Sequence, residues 1–138
     1  MTAIAVRDRL LTAHTPVFEA ALACADHVVT AWDGPTTVDR GAVAAPYERR
    51  LRATGVLELL LGSFVDAVAT AGESPAAAPV PSAPYAVVTA EGVVLRLSVD
   101  DGRFVGRLRA FDRDPYRRGP PLPEALSVER RGASKSDG

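Results

Sequence analysis

Residues 85–111, YAVVTAEGVVLRLSVDDGRFVGRLRAF, constrain the fold more than any other stretch of the chain. Apolar residues alternate with others, and Glu91-Gly92 and Asp101-Gly102 punctuate the pattern. Glycine beside an acidic residue signals a reversal, because glycine tolerates the positive φ that two-residue hairpin turns require. Two reversals predict a three-stranded antiparallel meander with strands over 85–90, 93–99 and 103–111. The expected pairings are Val88 with Leu95, Leu97 with Gly106 and Leu95 with Leu108. One face then carries Ala86, Val88, Val93, Leu95, Leu97, Val99, Phe104, Leu108 and Ala110. That face is wholly apolar and must be covered, since a slip of one residue would turn every one of these side chains to solvent.

The preceding half of the chain supplies the cover. Residues 2–13 read as a short helix with Thr2 as N-cap and Val6 and Leu10 on one side. Thr15-Pro16 opens a second helix running to about Trp32, with Phe18, Leu22, Ala25, Val29 and Trp32 as its apolar stripe. Asp33-Gly34-Pro35 ends it. A shorter helix is expected from about Pro46 to Ala53, after a segment that Asp39 would cap. The most apolar helix spans Val56–Ala71, capped by Thr54 and stopped by Gly72, and carries Leu57, Leu60, Leu61, Phe64, Val65 and Val68.

Four prolines in residues 73–84 forbid a helix or an interior strand and predict an extended connector. After Phe111 the chain becomes charged and Pro-rich, so residues 112–138 are expected to be mostly disordered, with room for a brief strand or helix at 124–130. The reading is therefore a single α+β domain over 1–111. Three or four helices (2–71) pack on the meander (85–111), which the connector joins to them.

Composition narrows the function classes. A formal charge of −1 on 138 residues excludes a strongly basic nucleic-acid protein, and one cysteine excludes an internal disulfide framework. No apolar run is long enough to cross a membrane, and the first residues, MTAIAVRDRLLTAHTP, carry charges within their apolar stretch, unlike a signal peptide. A cytoplasmic location is the expectation. Fifteen arginines against one lysine, with abundant Ala and Val, point to a GC-rich genome.

The stretches ACADHVVTAWDG, VDRGAVAAPYERRLRATGVLELL and PYAVVTAEGVVLRLSVDDGRFVGRLRAF resemble small uncharacterised proteins of halophilic archaea. The resemblance covers residues 1 to about 111 and implies no activity.

The candidate functional surface is the other face of the meander. The same register gives it Tyr85, Val87, Thr89, Val94, Arg96, Ser98, Arg103, Val105, Arg107, Arg109 and Phe111. Arg96 would oppose Arg107, and like charges on paired strands need a carboxylate, solvent or an anionic ligand between them. The bland reading is a solvated face with long Arg stems over the valines, but half the face is apolar, which favours partial cover by the tail, a second copy or a protein partner. Tyr85, Arg96, Arg103, Val105, Arg107, Arg109 and Phe111 are the expected contacts. The alternative is single-stranded or RNA binding, with phosphates on the arginines and bases stacked on Tyr85 and Phe111 at the rims.

Other constellations carry less. Arg40, Arg49, Arg50 and Arg52 read as a solvated helix surface. A winged-helix reading would send the VLELLL end of residues 56–61 into DNA, where polar side chains are needed. Cys24 and His27 have a helical ligand spacing, but with His14 they make too few ligands for zinc. Asp100, Asp101, Asp112 and Asp114 read as solvated turn residues rather than an acid–base pair. Phosphate-binding glycine loops are absent from the sequence. No enzyme, cofactor or metal is expected.

Overall fold

The computed structural model describes residues 2–132. Four helices come first: α1 (Ala3–Ala13), α2 (Thr15–Val29), α3 (Ala44–Ala53) and α4 (Val56–Thr70), with a 3₁₀ turn at Arg40–Ala42 before α3. Six strands follow: β1 (Ala86–Thr89), β2 (Gly92–Val99), β3 (Gly102–Arg109), β4 (Phe111–Asp112), β5 (Arg117–Arg118) and β6 (Leu126–Gly132). The main sheet is antiparallel with order β1-β2-β3-β6, and β4 pairs with β5. The fold is α+β as expected, but its sheet has four strands rather than three. No helix among the described residues is long and apolar enough to cross a membrane.

The fourth strand falls where a brief strand was allowed at 124–130, while β4 and β5 correct the expectation that the residues just after Phe111 are disordered. Residues 126–131 read Leu-Ser-Val-Glu-Arg-Arg, and Leu126 is buried while Val128 packs against the core. That alternation suits an edge strand even though half its residues are polar. Arg7 on α1 holds the strand's start, its Nε donating to Leu126 O and its Nη2 to Pro123 O, both at 2.8 Å. The part of the expected disorder that falls on 133–138 lies outside the described residues.

Helix starts differ from their expected caps in instructive ways. Thr2 Oγ1 accepts from Ala5 N as predicted. Thr15 instead lies inside α2, and its hydroxyl donates back to Leu11 O. Thr54 closes α3, its hydroxyl donating to Arg50 O at 2.8 Å, and Gly55 with φ +76° takes the entry to α4. Asp39 does cap, its Oδ1 accepting from Gly41 N at 2.9 Å. The connector forms no helix or strand, and Ala76 N pairs with Ser98 O at the end of β2.

The inward face of the meander is as predicted. Ala86, Val93, Leu95, Leu97, Val99, Phe104, Leu108 and Ala110 are buried together with Phe64, Leu60, Leu57, Phe18 and Leu10 from the helices. The pairing itself is displaced by two residues. Val88 faces Val93, Leu95 faces Gly106, and Leu97 faces Phe104. A two-residue displacement keeps the parity of the strand, so the faces survive while the partners change. Its cause is the position of the turns: the loops are Ala90-Glu91 and Asp100-Asp101, and each glycine is the first residue of the next strand. Gly92 and Gly102 have φ near +148°, and a Cβ on either would stand about 2 Å from a neighbouring carbonyl, Leu108 O or Arg131 O.

A classic-type bulge follows β3. The amides of Ala110 and Phe111 both donate to Glu91 O, at 2.8 and 3.0 Å. Two residues opposite one reverse the alternation, so Ala110 and Phe111 are both fully buried. Phe111 meets Tyr47 edge-on with ring centres 5.2 Å apart and Trp32 at 6.1 Å. Tyr47 is itself buried and donates to Ala21 O at 2.9 Å, and burial holds its phenol well above the ordinary range.

Candidate functional site

The outer side of the sheet collects side chains from all four strands of the main sheet. Cross-strand neighbours place Val94 with Arg107 and Ser127, Arg96 with Val105 and Glu129, and Ser98 with Arg103 and Arg131. Tyr85 lies at the β1 end of the Arg96 row, where its carbonyl accepts from Arg96 N at 2.8 Å. Helices pack on the opposite, inward face, leaving Arg103, Arg107, Arg109, Ser127 and Arg131 exposed and Arg96, Val87 and Val94 half-buried.

Five of the seven expected contact residues belong to this surface: Arg96, Arg103, Val105, Arg107 and Arg109, while Tyr85 is half-buried and packs against the hydrophobic core. Phe111 does not belong to it. The bulge turns it into the core, which removes one of the two aromatic rims expected for base stacking. Val105 is on the outer face but only 1% exposed. Its neighbours across the strands are Arg96 and Glu129, long side chains whose stems cover apolar surface while their charged ends reach water.

The expected opposition of Arg96 and Arg107 is absent, because the shifted register gives both arginines valine partners. A like-charged pair exists elsewhere: Arg103 faces Arg131. Glu129 offsets part of the charge, its Oε1 lying 2.6 Å from Arg107 Nη1 and 2.9 Å from Arg131 Nη2. The hydrogen bond from Arg107 and then that from Arg131 hold its carboxyl below the usual range. Arg109 pairs with Asp112 at 3.1 Å. Arg96 and Arg103 have no carboxylate partner among the described residues. Sequence reasoning missed Glu129 and Arg131, although the alternation of residues 126–131 was the signal for both.

The remaining candidates are dispersed. Arg52 pairs with Glu48 one turn away at 2.9 Å, while Arg49 and Arg50 are exposed on α3. Val56, Leu57, Leu60 and Leu61 at the start of α4 are buried, which leaves no recognition surface there. Cys24 is buried with its Sγ 3.7 Å from Thr54 Oγ1, and His27 is exposed. His14 is engaged instead by Asp66, at 2.6 Å. Asp100, Asp101 and Asp114 are exposed. No group of three or more His, Cys, Asp or Glu among the described residues is arranged to hold a metal ion.

The fold and surface together define an α+β domain whose helices bury one side of an antiparallel sheet and whose other side is basic and partly apolar. The profile of a domain of unknown function (DUF7988) matches residues 4–131, and the chain belongs to that family. No curated protein and no solved structure matches it.

Proposed function

We propose that the chain is a non-enzymatic interaction module whose outer sheet face docks an acidic surface of a protein partner. The observation that carries this reading is the surface itself: exposed and half-buried arginines, of which Arg96 and Arg103 have no carboxylate partner among the described residues, around half-buried Val87 and Val94. Arginine beside apolar surface is the composition enriched in protein interfaces. Opposite charge on the partner steers the encounter, and direct pairing sets the register.

Two features turn the reading away from the other partners considered. A symmetric dimer through this face would bring one basic surface against another, at a cost in like-charge repulsion. Sheet-edge association is also discouraged, since β1 is only four residues long and β6 carries Glu129, Arg130 and Arg131. Single-stranded nucleic acid loses one of its two expected stacking partners with Phe111 in the core. The reading keeps the chain in the cytoplasm, on the argument that a single cysteine provides no internal disulfide. It also keeps the resemblance to halophilic archaeal proteins. In a salt-rich interior, screening reduces the reach of exposed charge, so the arginines must act in direct contact.

The test is affinity capture from a nuclease-treated lysate of the source cell, comparing the native chain with an Arg96→Glu/Arg103→Glu variant. A protein retained by the native chain and lost with the variant supports the reading. Identical capture by both overturns it. A gel shift with single-stranded RNA that depends on the same two arginines would instead favour nucleic acid. A concentration-dependent dimer by light scattering that Val94→Glu abolishes, at a half-buried position of the outer face, would favour self-association.

A further inference from the structure

We propose that the hollow at the Gly92 end of the outer sheet face binds a small organic phosphate, its phosphoryl group held by arginines and its carbon body resting on the strands. The hollow has a volume of about 530 Å³, within the range of small-molecule sites. Its floor is the start of β2 with Leu108 and Ala125. Small residues are part of its lining: Gly92, Ala125 and Ser127.

Four arginines line it: Arg40, Arg107, Arg109 and Arg113. They come from three separate parts of the chain, and the backbone fixes their meeting. Thr37 and Tyr116 exchange both of their main-chain hydrogen bonds, at 3.0 and 2.9 Å. This clamps the segment leading into Arg40 against the segment following Arg113. Arg113 is steadied from the β1–β2 turn by Glu91 at 2.7 Å, Arg109 by Asp112 at 3.1 Å, and Arg107 by Glu129 at 2.6 Å. Arg40 has no carboxylate partner among the described residues. Each guanidinium has five N–H donors, so one such pairing leaves several for a ligand.

The chemistry selects phosphate. Several arginines around one hollow suit a group with several anionic oxygens arranged tetrahedrally, and bidentate pairing to phosphate is a strong use of the side chain. The lining carboxylates are Glu91, already engaged, and Glu124. Val94 and Tyr116, both half-buried, offer apolar surface for the rest of the molecule. The site overlaps the interaction surface at Val94, Arg107 and Arg109 but extends beyond it: Arg96 and Arg103 do not line it, and Arg40 and Arg113 are not on the main sheet.

Calorimetric titration of the full chain with a nucleoside monophosphate, its parent nucleoside and inorganic phosphate tests the site. The monophosphate should bind most tightly of the three. Arg40→Gln and Arg113→Gln should each weaken it roughly tenfold, the loss expected for a charge-assisted hydrogen bond. Arg96→Gln/Arg103→Gln should leave it unchanged, whatever that variant does to partner capture. Arg40→Gln breaks no ion pair among the described residues, so an unchanged melting temperature keeps its result interpretable. The proposal falls if neither the monophosphate nor inorganic phosphate shows saturable binding at millimolar concentration. It falls equally if the nucleoside binds as tightly as the monophosphate, if both pocket variants match the native chain, or if the Arg96/Arg103 variant loses binding.

Discussion

Arg103 stands directly across from Arg131 on the outer side of the sheet, and the carboxylate of Glu129 is bound to Arg131 and Arg107 rather than to Arg103. The strand pair therefore tolerates a like-charged contact that one acidic residue only partly offsets. Glu129→Gln removes that offset while keeping the side chain's shape. Exposed pairs contribute roughly 0.5 kcal/mol each, so the variant should melt only slightly lower than the native chain. The difference should grow at low ionic strength, where repulsion between arginines is less screened. The folded state holds Glu129 below its ordinary range. Its contribution is therefore present above that range and lost as the pH falls through the folded value. Melting curves at two salt concentrations check this, and a variant more stable than the native chain at low salt would contradict it.

Gly92 should be intolerant of any side chain. Its φ of +148° is one that L-residues rarely adopt, and a Cβ would meet Leu108 O at 1.9 Å. Gly92→Ala should therefore destabilise by about 2 kcal/mol or more, combining backbone strain with displacement of the β2–β3 ladder. Gly34 provides the control, since a Cβ there has nothing within 4 Å. Gly34→Ala should change stability by less than about 0.5 kcal/mol. Chemical denaturation of the two variants distinguishes a geometric requirement at residue 92 from a general effect of replacing glycine.

Phe111→Ala should be among the most damaging single changes, at about 3–5 kcal/mol. The ring is fully buried against Tyr47 and Trp32. Tyr85→Ala, at a half-buried position, should cost much less. If denaturation midpoints rank these two the other way, Phe111 is not in the core.

The contrast between those two aromatics shows how far the sequence could be read. Alternation identified the inward set from Ala86 to Leu108, because face assignment depends only on parity and the two-residue register displacement preserves parity. Alternation failed at Phe111 because a bulge adds one residue, and nothing in Leu-Arg-Ala-Phe marks where two amides will share Glu91 O. The partners of Arg96 and Arg107 failed for a related reason: the turn positions, not the alternation, fix which residues meet. Glu129 and Arg131 were hidden by composition. Prolines and charges around residues 113–124 resemble an unfolded segment, and the strand that follows depends on Arg7, a residue 119 positions away from Leu126 in the chain.

Acid should weaken the junction between the first helical pair and α4. Asp66 Oδ2 lies 2.6 Å from His14 Nε2 and 3.1 Å from Arg9 Nε. The hydrogen bond from His14, followed by that from Arg9, holds the Asp66 carboxyl below its ordinary range. A lowered folded-state value means that the contribution is complete above the unfolded value and disappears as the pH falls through the folded one. Asp66→Asn should therefore melt below the native chain near neutrality and converge with it in acid, below a pH of about 4. A constant difference between their melting temperatures across that interval would show that Asp66 acts through packing instead of charge.

Arg7 should prove essential to the fourth strand although it lies on the first helix. Its two donors meet the carbonyls of Leu126 and Pro123, and no other side chain of α1 makes a hydrogen bond to that segment among the described residues. Arg7→Met keeps the apolar stem and removes both donors. Losing hydrogen bonds from a charged group costs about 1.5–3 kcal/mol. The loss should be local, because β1, β2 and β3 retain their ladders without β6. Hydrogen exchange should accordingly quicken at the β3 and β6 amides that bond to each other, while β1–β2 amides keep their protection. Uniform acceleration across all four strands would mean that β6 folds as one unit with the meander and that Arg7 stabilises the whole domain.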